Sequence, residues 1–193
     1  IGYFAAVEES EDAEVRRMFE INVFGLAKVT QEVLPYMRKR RSGHILNIAS
    51  IGGLRSFPGV GFYNATKYAV DGLSEALYKE VAPLGIHVTV IAPSGFRTDW
   101  AGRSAKDSVI KIDDYATTAV KNMGDIRAYS GNQPGDPVKA AQAMIQVTET
   151  AQPPLRLLLG AAALKGARAK LEELKKEGDA REFVNRVQNI RKD

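Results

Sequence analysis

The run His44-Ile45-Leu46-Asn47-Ile48-Ala49-Ser50 is followed, 13 positions after its last residue, by Tyr63-Asn64-Ala65-Thr66-Lys67. The first segment reads as a short apolar strand, Ile45–Ala49, closed by a hydroxyl side chain. The second reads as the opening of a helix running from near Phe62 to about Val81. Residues four apart on a helix project from one face, so a phenol and an ammonium stand side by side. A free phenol titrates near pH ~10, and an adjacent cation favours the phenolate, which brings a tyrosine towards use as an acid and base. The bland reading is a helix-surface pair worth a few tenths of a kcal/mol. Ser50, at the end of the preceding strand, favours the chemical one, although its hydroxyl would also serve to cap the next turn.

Working outward, Val88–Ala92 and Leu155–Leu159 read as two further short strands. Helical segments fill the wide gaps between the three, so the strands are expected to be parallel, joined by right-handed crossovers. Upstream, Ser10 is the expected N-cap, with Glu11 and Asp12 in the first turn, of a helix reaching about Arg41. Its apolar stripe is Val15, Phe19, Leu26, Val29 and Val33. Asn22 falls on that stripe, and a buried amide without partners costs roughly 1–3 kcal/mol, so it should have a task, either tying helix to backbone or serving the site. The basic run Arg38-Lys39-Arg40-Arg41 suits a helix C-terminus better than a nucleic-acid patch. Downstream, Trp100 to Gly135 is irregular, with a helix expected around Asp107–Asn122. Asp136 caps a further helix with Pro137 in its first turn. The tail, about 161–193, is charged and helical, with a break expected near Gly178.

With 193 residues, 45% of them hydrophobic, the chain is long enough for one domain, 1–193, with a proper core. No apolar run reaches the ~20 residues of a membrane-spanning helix. Zero cysteines exclude disulfides and thiolate metal sites and suit a cytoplasmic protein. A net charge of +4 is a mild excess that does not call for nucleic acid. His44 and His87 lack metal-ligand spacing. No internal repeat or low-complexity segment stands out.

Asn22 in Asn22-Val23-Phe24-Gly25, Ser50, the Tyr63/Lys67 pair and Pro93-Ser94-Gly95-Phe96-Arg97-Thr98, in this order, resemble the classical short-chain dehydrogenase/reductase family. The resemblance runs along essentially the whole chain. The stretch Ile91 to Ser104 is similar to bacterial members near the hydroxysteroid-dehydrogenase-like subgroup. The fold implied is α/β, a Rossmann-like parallel sheet with flanking helices, here truncated at the N-terminus. No Gly-x-Gly-x-x-Gly or Gly-x-x-x-Gly-x-Gly fingerprint follows a strand, and the family's Asn-Asn-Ala-Gly segment would fall immediately before Ile1. The expectation is the C-terminal portion of a longer dehydrogenase, with the strand Ile45–Ala49 left as an edge that something normally covers.

The resemblance implies an NAD- or NADP-dependent oxidoreductase passing hydride between nicotinamide and a small-molecule carbonyl or alcohol, and a homo-oligomer acting without nucleic acid or membrane. Tyr63 is the implied proton donor and acceptor; Lys67 lowers its pKa and holds the nicotinamide ribose. Ser50 stabilises the substrate oxygen, and Asn22 anchors a proton-relaying water. Pro93, Gly95, Phe96 and Thr98 form the nicotinamide contact, with Thr98 on the carboxamide. Thr98 would also suit an N-cap before Asp99. Two departures stand out: Ala49 where many members have a second serine, and Ser94 where glycine is usual. Trp100 and Tyr115 are expected to pack against helices rather than join the site. Without the phosphate loop, the isolated chain is expected to bind NAD(P) weakly or not at all and to be inactive. The competing reading is a non-catalytic oligomerisation or interaction module.

Overall fold

The computed structural model describes residues 1–180. In chain order the elements are β1 (Gly2–Phe4), α1 (Asp12–Phe19), a π-helical turn (Glu20–Phe24), α2 (Gly25–Arg40), β2 (Gly43–Ile48), α3 (Gly61–Val81), β3 (Ile86–Pro93), β4 (Ala105–Asp107), α4 (Lys121–Ala128), α5 (Pro137–Thr148), β5 (Arg156–Leu159) and α6 (Ala161–Ala180). The three expected strands form one parallel sheet in the order β2-β3-β5, with Gly43 opposite Ile86 and Val90 opposite Arg156. Ala49 N–H to Ile91 O (2.8 Å) carries the first pairing to the predicted strand end. Among the described residues β2 is an edge strand, as expected.

Ile45, Ile86 and Val88 pack on Leu77 and Val81 of α3 and on Val33, Leu34 and Met37 of α2. Ile91 and Leu159 face the other way, onto Ala140, Ala143 and Met144 of α5. This two-sided covering explains why β3 is apolar almost throughout rather than alternating. Each fully buried side chain such as Val88 or Ile91 contributes about 1.5–3 kcal/mol. At the start of β5, Arg156 forks onto Asp71 of α3 (Nε to Oδ1 2.9 Å, Nη2 to Oδ2 2.6 Å) and also reaches Glu75. Removing the fork in Arg156→Leu leaves Asp71 nearly buried and unpaired, so stability is expected to fall by about 1–3 kcal/mol, read as a lower denaturant midpoint. Bonds from Lys79 and then Arg156 hold the Glu75 carboxyl down at about 2. Its contribution is therefore present above its unfolded value near 4.5 and is lost as pH falls from there towards 2.

Several expectations are corrected. Ser10 does not cap α1: its hydroxyl turns back to donate to Ala6 O (2.9 Å), and Glu11 takes the N-cap position. The stripe fails at Val29, which is 65% exposed, while Thr30 is buried. The cause is the π turn at Glu20–Phe24, where the wider turn shifts every later residue around the helix. The helix expected over 107–122 starts later. Ala105–Asp107 is instead the strand β4, paired in parallel with β1, and regular α-helix begins at Lys121. The Asp136 cap is as expected, its carboxylate accepting from Val138 and Lys139 N–H. Helix α6 runs through Gly178 without a break; residues 181–193 of the expected tail lie outside the described residues.

Candidate active site

A cleft of about 690 Å³ opens at the carboxyl ends of β2 and β3, where parallel α/β sheets place their ligands. Ser50, Tyr63, Lys67, Pro93, Gly95, Phe96 and Thr98 all line it; Asn22 does not. Tyr63 is held by the way α3 begins. Ala5 bridges Val60, and Ala5 N–H donates to Gly59 O (2.9 Å), so the first turn of α3 starts against β1. The short 3-10 turn after Ser50, Ile51–Gly53, lies directly on the turn of α3 that carries Lys67. A Cβ at Gly53 would stand 2.6 Å from Lys67 O, so this close approach requires glycine.

Within the cleft, Tyr63 is 8% exposed. Lys67 Nζ lies 5.7 Å from the centre of the phenol ring and donates to Ile48 O at 2.9 Å. Ser50 Oγ accepts from Gly52 N–H at 3.0 Å, so the capping role is real. Burial pushes the phenol up to about 12, against the opposing pull of the Ser50 hydroxyl. Burial likewise lowers Lys67 to about 8. The expected lowering of the Tyr63 pKa by Lys67 is thus outweighed by desolvation, and Tyr63 holds its proton at neutral pH.

The Lys67 shift has a testable sign. Its folded value lies below its unfolded value of 10.5, so the charge costs stability below about pH 8, and the cost is relieved as pH rises from about 8 towards 10.5. Across that window, wild type should gain stability relative to Lys67→Met, as read by urea midpoints.

Asn22 acts as a tie. Its Oδ1 accepts from the Ile1 nitrogen (2.8 Å), and its Nδ2 donates to Ile1 O (3.0 Å) and Thr66 Oγ1 (3.2 Å). Thr66 in turn donates to Tyr63 O (2.7 Å), so Asn22 fixes the turn of α3 that carries Tyr63. Thr98 caps the turn Asp99–Ala101, accepting from Trp100 N–H at 3.4 Å, yet remains exposed to the cleft. Ser94 adopts no left-handed backbone, and its hydroxyl donates to Leu159 O (3.2 Å), so the loop accepts serine.

Sequence reasoning left Trp100 out. Its ring packs on Tyr63 at 4.8 Å, tilted by 49°, and meets Phe4 edge-on at 5.5 Å. Asn64 was also missed: it is 2% exposed, and its Nδ2 donates to Phe57 O (3.0 Å). Phe57, Ile126 and Tyr129 complete the far wall. No local signal marks these positions, because distant segments bring them together. Among the described residues no cluster of His, Asp or Glu suits a metal.

Residues 1–108 match the family model of the short chain dehydrogenases. Oxidoreductase BOA17 of Botryotinia fuckeliana is 38% identical over 163 residues, covering 84% of this chain and 59% of its own. The chain therefore spans about three-fifths of that relative's length. A short-chain dehydrogenase from Streptomyces avermitilis superimposes with a TM-score of 0.89 at 40% identity, over 97% of this chain and 68% of its own. A Burkholderia phymatum short-chain dehydrogenase/reductase solved in complex with NAD shares the fold, with a TM-score of 0.76 at 22% identity over 92% of this chain and 64% of its own.

Proposed function

The chain belongs to the short-chain dehydrogenase/reductase family, and on that premise we propose that it carries the proton-transfer machinery of an NAD- or NADP-dependent oxidoreductase acting on a small-molecule carbonyl or alcohol. The observation that carries this reading is the meeting of Ser50, Tyr63 and Lys67 in one cleft at the strand ends.

The cleft fits the nicotinamide end of such a cofactor. Lys67 spends one donor on Ile48 O and keeps two for ribose hydroxyls. The exposed Thr98 hydroxyl suits a carboxamide, and Pro93, Gly95 and Phe96 offer a flat, uncharged bed. When bound, the cofactor supplies or accepts the hydride. Tyr63, with its proton held by burial, donates O–H to the carbonyl oxygen during reduction and takes it back during oxidation. Ser50 bonds the same oxygen as charge develops. Asn22 keeps the Tyr63 turn in place through Thr66.

The test is the absorbance of the reduced nicotinamide, followed with a glycine-rich nucleotide-binding segment in place and a panel of carbonyls. Turnover that survives loss of the Tyr63 hydroxyl sinks the reading.

A second reading, an oligomerisation module, draws on exposed apolar residues along α2 and α3, among them Val29 (65%), Tyr36 (72%) and Leu73 (40%), and on the open edge of β2. We favour a homo-oligomer in either case. A folded, oligomeric chain without cofactor affinity supports the second reading; micromolar NAD(P) binding removes it. Among the described residues no helix is long and apolar enough to cross a membrane. A cytoplasmic location is proposed on the absence of cysteine.

A further inference from the structure

We propose that the substrate of this site is a neutral, predominantly apolar ketone or secondary alcohol, seated with its hydrocarbon body against Trp100, Phe57 and Ile126. This rests on the oxidoreductase reading above and adds the chemical class.

Among the described residues the cleft lining contains no Asp, Glu, Arg or His side chain, and its one cationic side chain is Lys67, already claimed by Ile48 O and the proposed ribose contact. Two guanidinium groups adjoining the lining are committed elsewhere, and a third, Arg55, lies over the Phe57 ring at 5.9 Å. Arg127, beside Ile126 on α4, donates to Ala101 O (2.7 Å), Gly102 O (2.6 Å) and Ala105 O (2.7 Å), and stacks over Phe4. Arg97 donates to Gln133 O (2.9 Å) and Pro134 O (3.3 Å). A carboxylate or phosphate seated against Trp100 and Ile126 would lose water with no cation among the lining residues described there to receive it.

Several neutral polar groups of the lining are spent within the protein, while Asn64 Oδ1 and Trp100 Nε1 are buried there without a partner. Asn122 Nδ2 donates to Pro58 O (2.7 Å), Gln133 Oε1 accepts from Gly131 N–H (2.8 Å), and Asn64 Nδ2 donates to Phe57 O. A polyol would lose its hydrogen bonds to water and find few replacements. What the wall does offer is aromatic and aliphatic surface, and Trp100 brings it against the ring of the proton donor itself. Each buried methylene of a substrate then adds to its affinity.

Trp100 is the single tryptophan of these 193 residues, so its fluorescence reports the cleft without any need for turnover. The experiment titrates the protein with three secondary alcohols that differ only in their body: 2-tetralol (bicyclic and neutral), sorbitol (polyhydroxylated) and lactate (charged). Saturable change of Trp100 emission by 2-tetralol, at an apparent Kd at least about 10-fold below the other two, is expected from the methylenes it buries. Ile126→Asp should weaken 2-tetralol by about 10-fold or more. Tyr129→Arg, at a half-exposed position that tolerates the change, should instead bring lactate in. Lactate or sorbitol binding as tightly as 2-tetralol to the wild type overturns the proposal. So does an emission that none of the three alcohols moves. The two readings fail separately: turnover indifferent to Tyr63 with 2-tetralol still bound sinks only the chemistry. Tyr63-dependent turnover that prefers charged or polyhydroxylated substrates sinks only the substrate class.

Discussion

With a glycine-rich nucleotide-binding segment in place, Tyr63→Phe is expected to lower turnover by about 10²–10⁴-fold, the usual worth of a positioned general acid, while the protein stays folded. The substitution deletes one oxygen. The ring keeps its tilted packing on Trp100, and Ser50 keeps its bond from Gly52 N–H. The stability cost is at most that of one hydrogen bond, about 0.5–1.5 kcal/mol. The loss should appear in kcat rather than KM, because the hydroxyl acts where the substrate oxygen takes up its proton. Burial holds the phenol near 12, so at neutral pH almost every molecule carries the proton to be given. Steady-state kinetics beside a thermal melt separate the outcomes; an unchanged kcat in a folded variant would remove Tyr63 from the chemistry.

The second large effect is on stability. Glu9 is fully buried, yet it is no misplaced charge. Its Oε2 accepts from Ala6 N–H (3.0 Å) and its Oε1 from Ile112 N–H (2.8 Å), while Ser108 Oγ donates to Glu9 O (2.6 Å). One carboxylate thus staples the loop after β1 to the segment after β4, and that segment leads on to α4 and the Ile126 wall of the cleft. Glu9→Ala orphans one buried and one partly buried N–H donor and should cost roughly 2–5 kcal/mol. Glu9→Gln keeps one acceptor oxygen and should lose less. Denaturant midpoints rank the three proteins. If Glu9→Ala unfolds no more easily than wild type, the staple carries no weight.

Much of the site was legible because its grammar is local. The spacing of Tyr63 and Lys67 needs only helix periodicity, and Ser50 needs only the end of an apolar run. Asn22 was legible as buried but not in its bonds, since Ile1 and Thr66 come from other parts of the chain. Strands β1 and β4 were illegible because three-residue segments carry no periodicity, and their pairing joins residues about a hundred positions apart. The π turn at Glu20–Phe24 moved Thr30 into the core in place of Val29, a shift that no α-helical period can foresee.

By itself the sequence determined the parallel strands with their crossover helices and the spacing that brings Ser50, Tyr63 and Lys67 to one cleft, because both follow from patterns within short segments. Only the tertiary structure decided that Trp100 lies on Tyr63 and that Arg127 is turned away from the cleft. It also decided that burial, rather than the Lys67 charge, governs the Tyr63 proton. Desolvation and stacking depend on which distant segments close over a side chain, and that is settled by packing rather than by spacing along the chain.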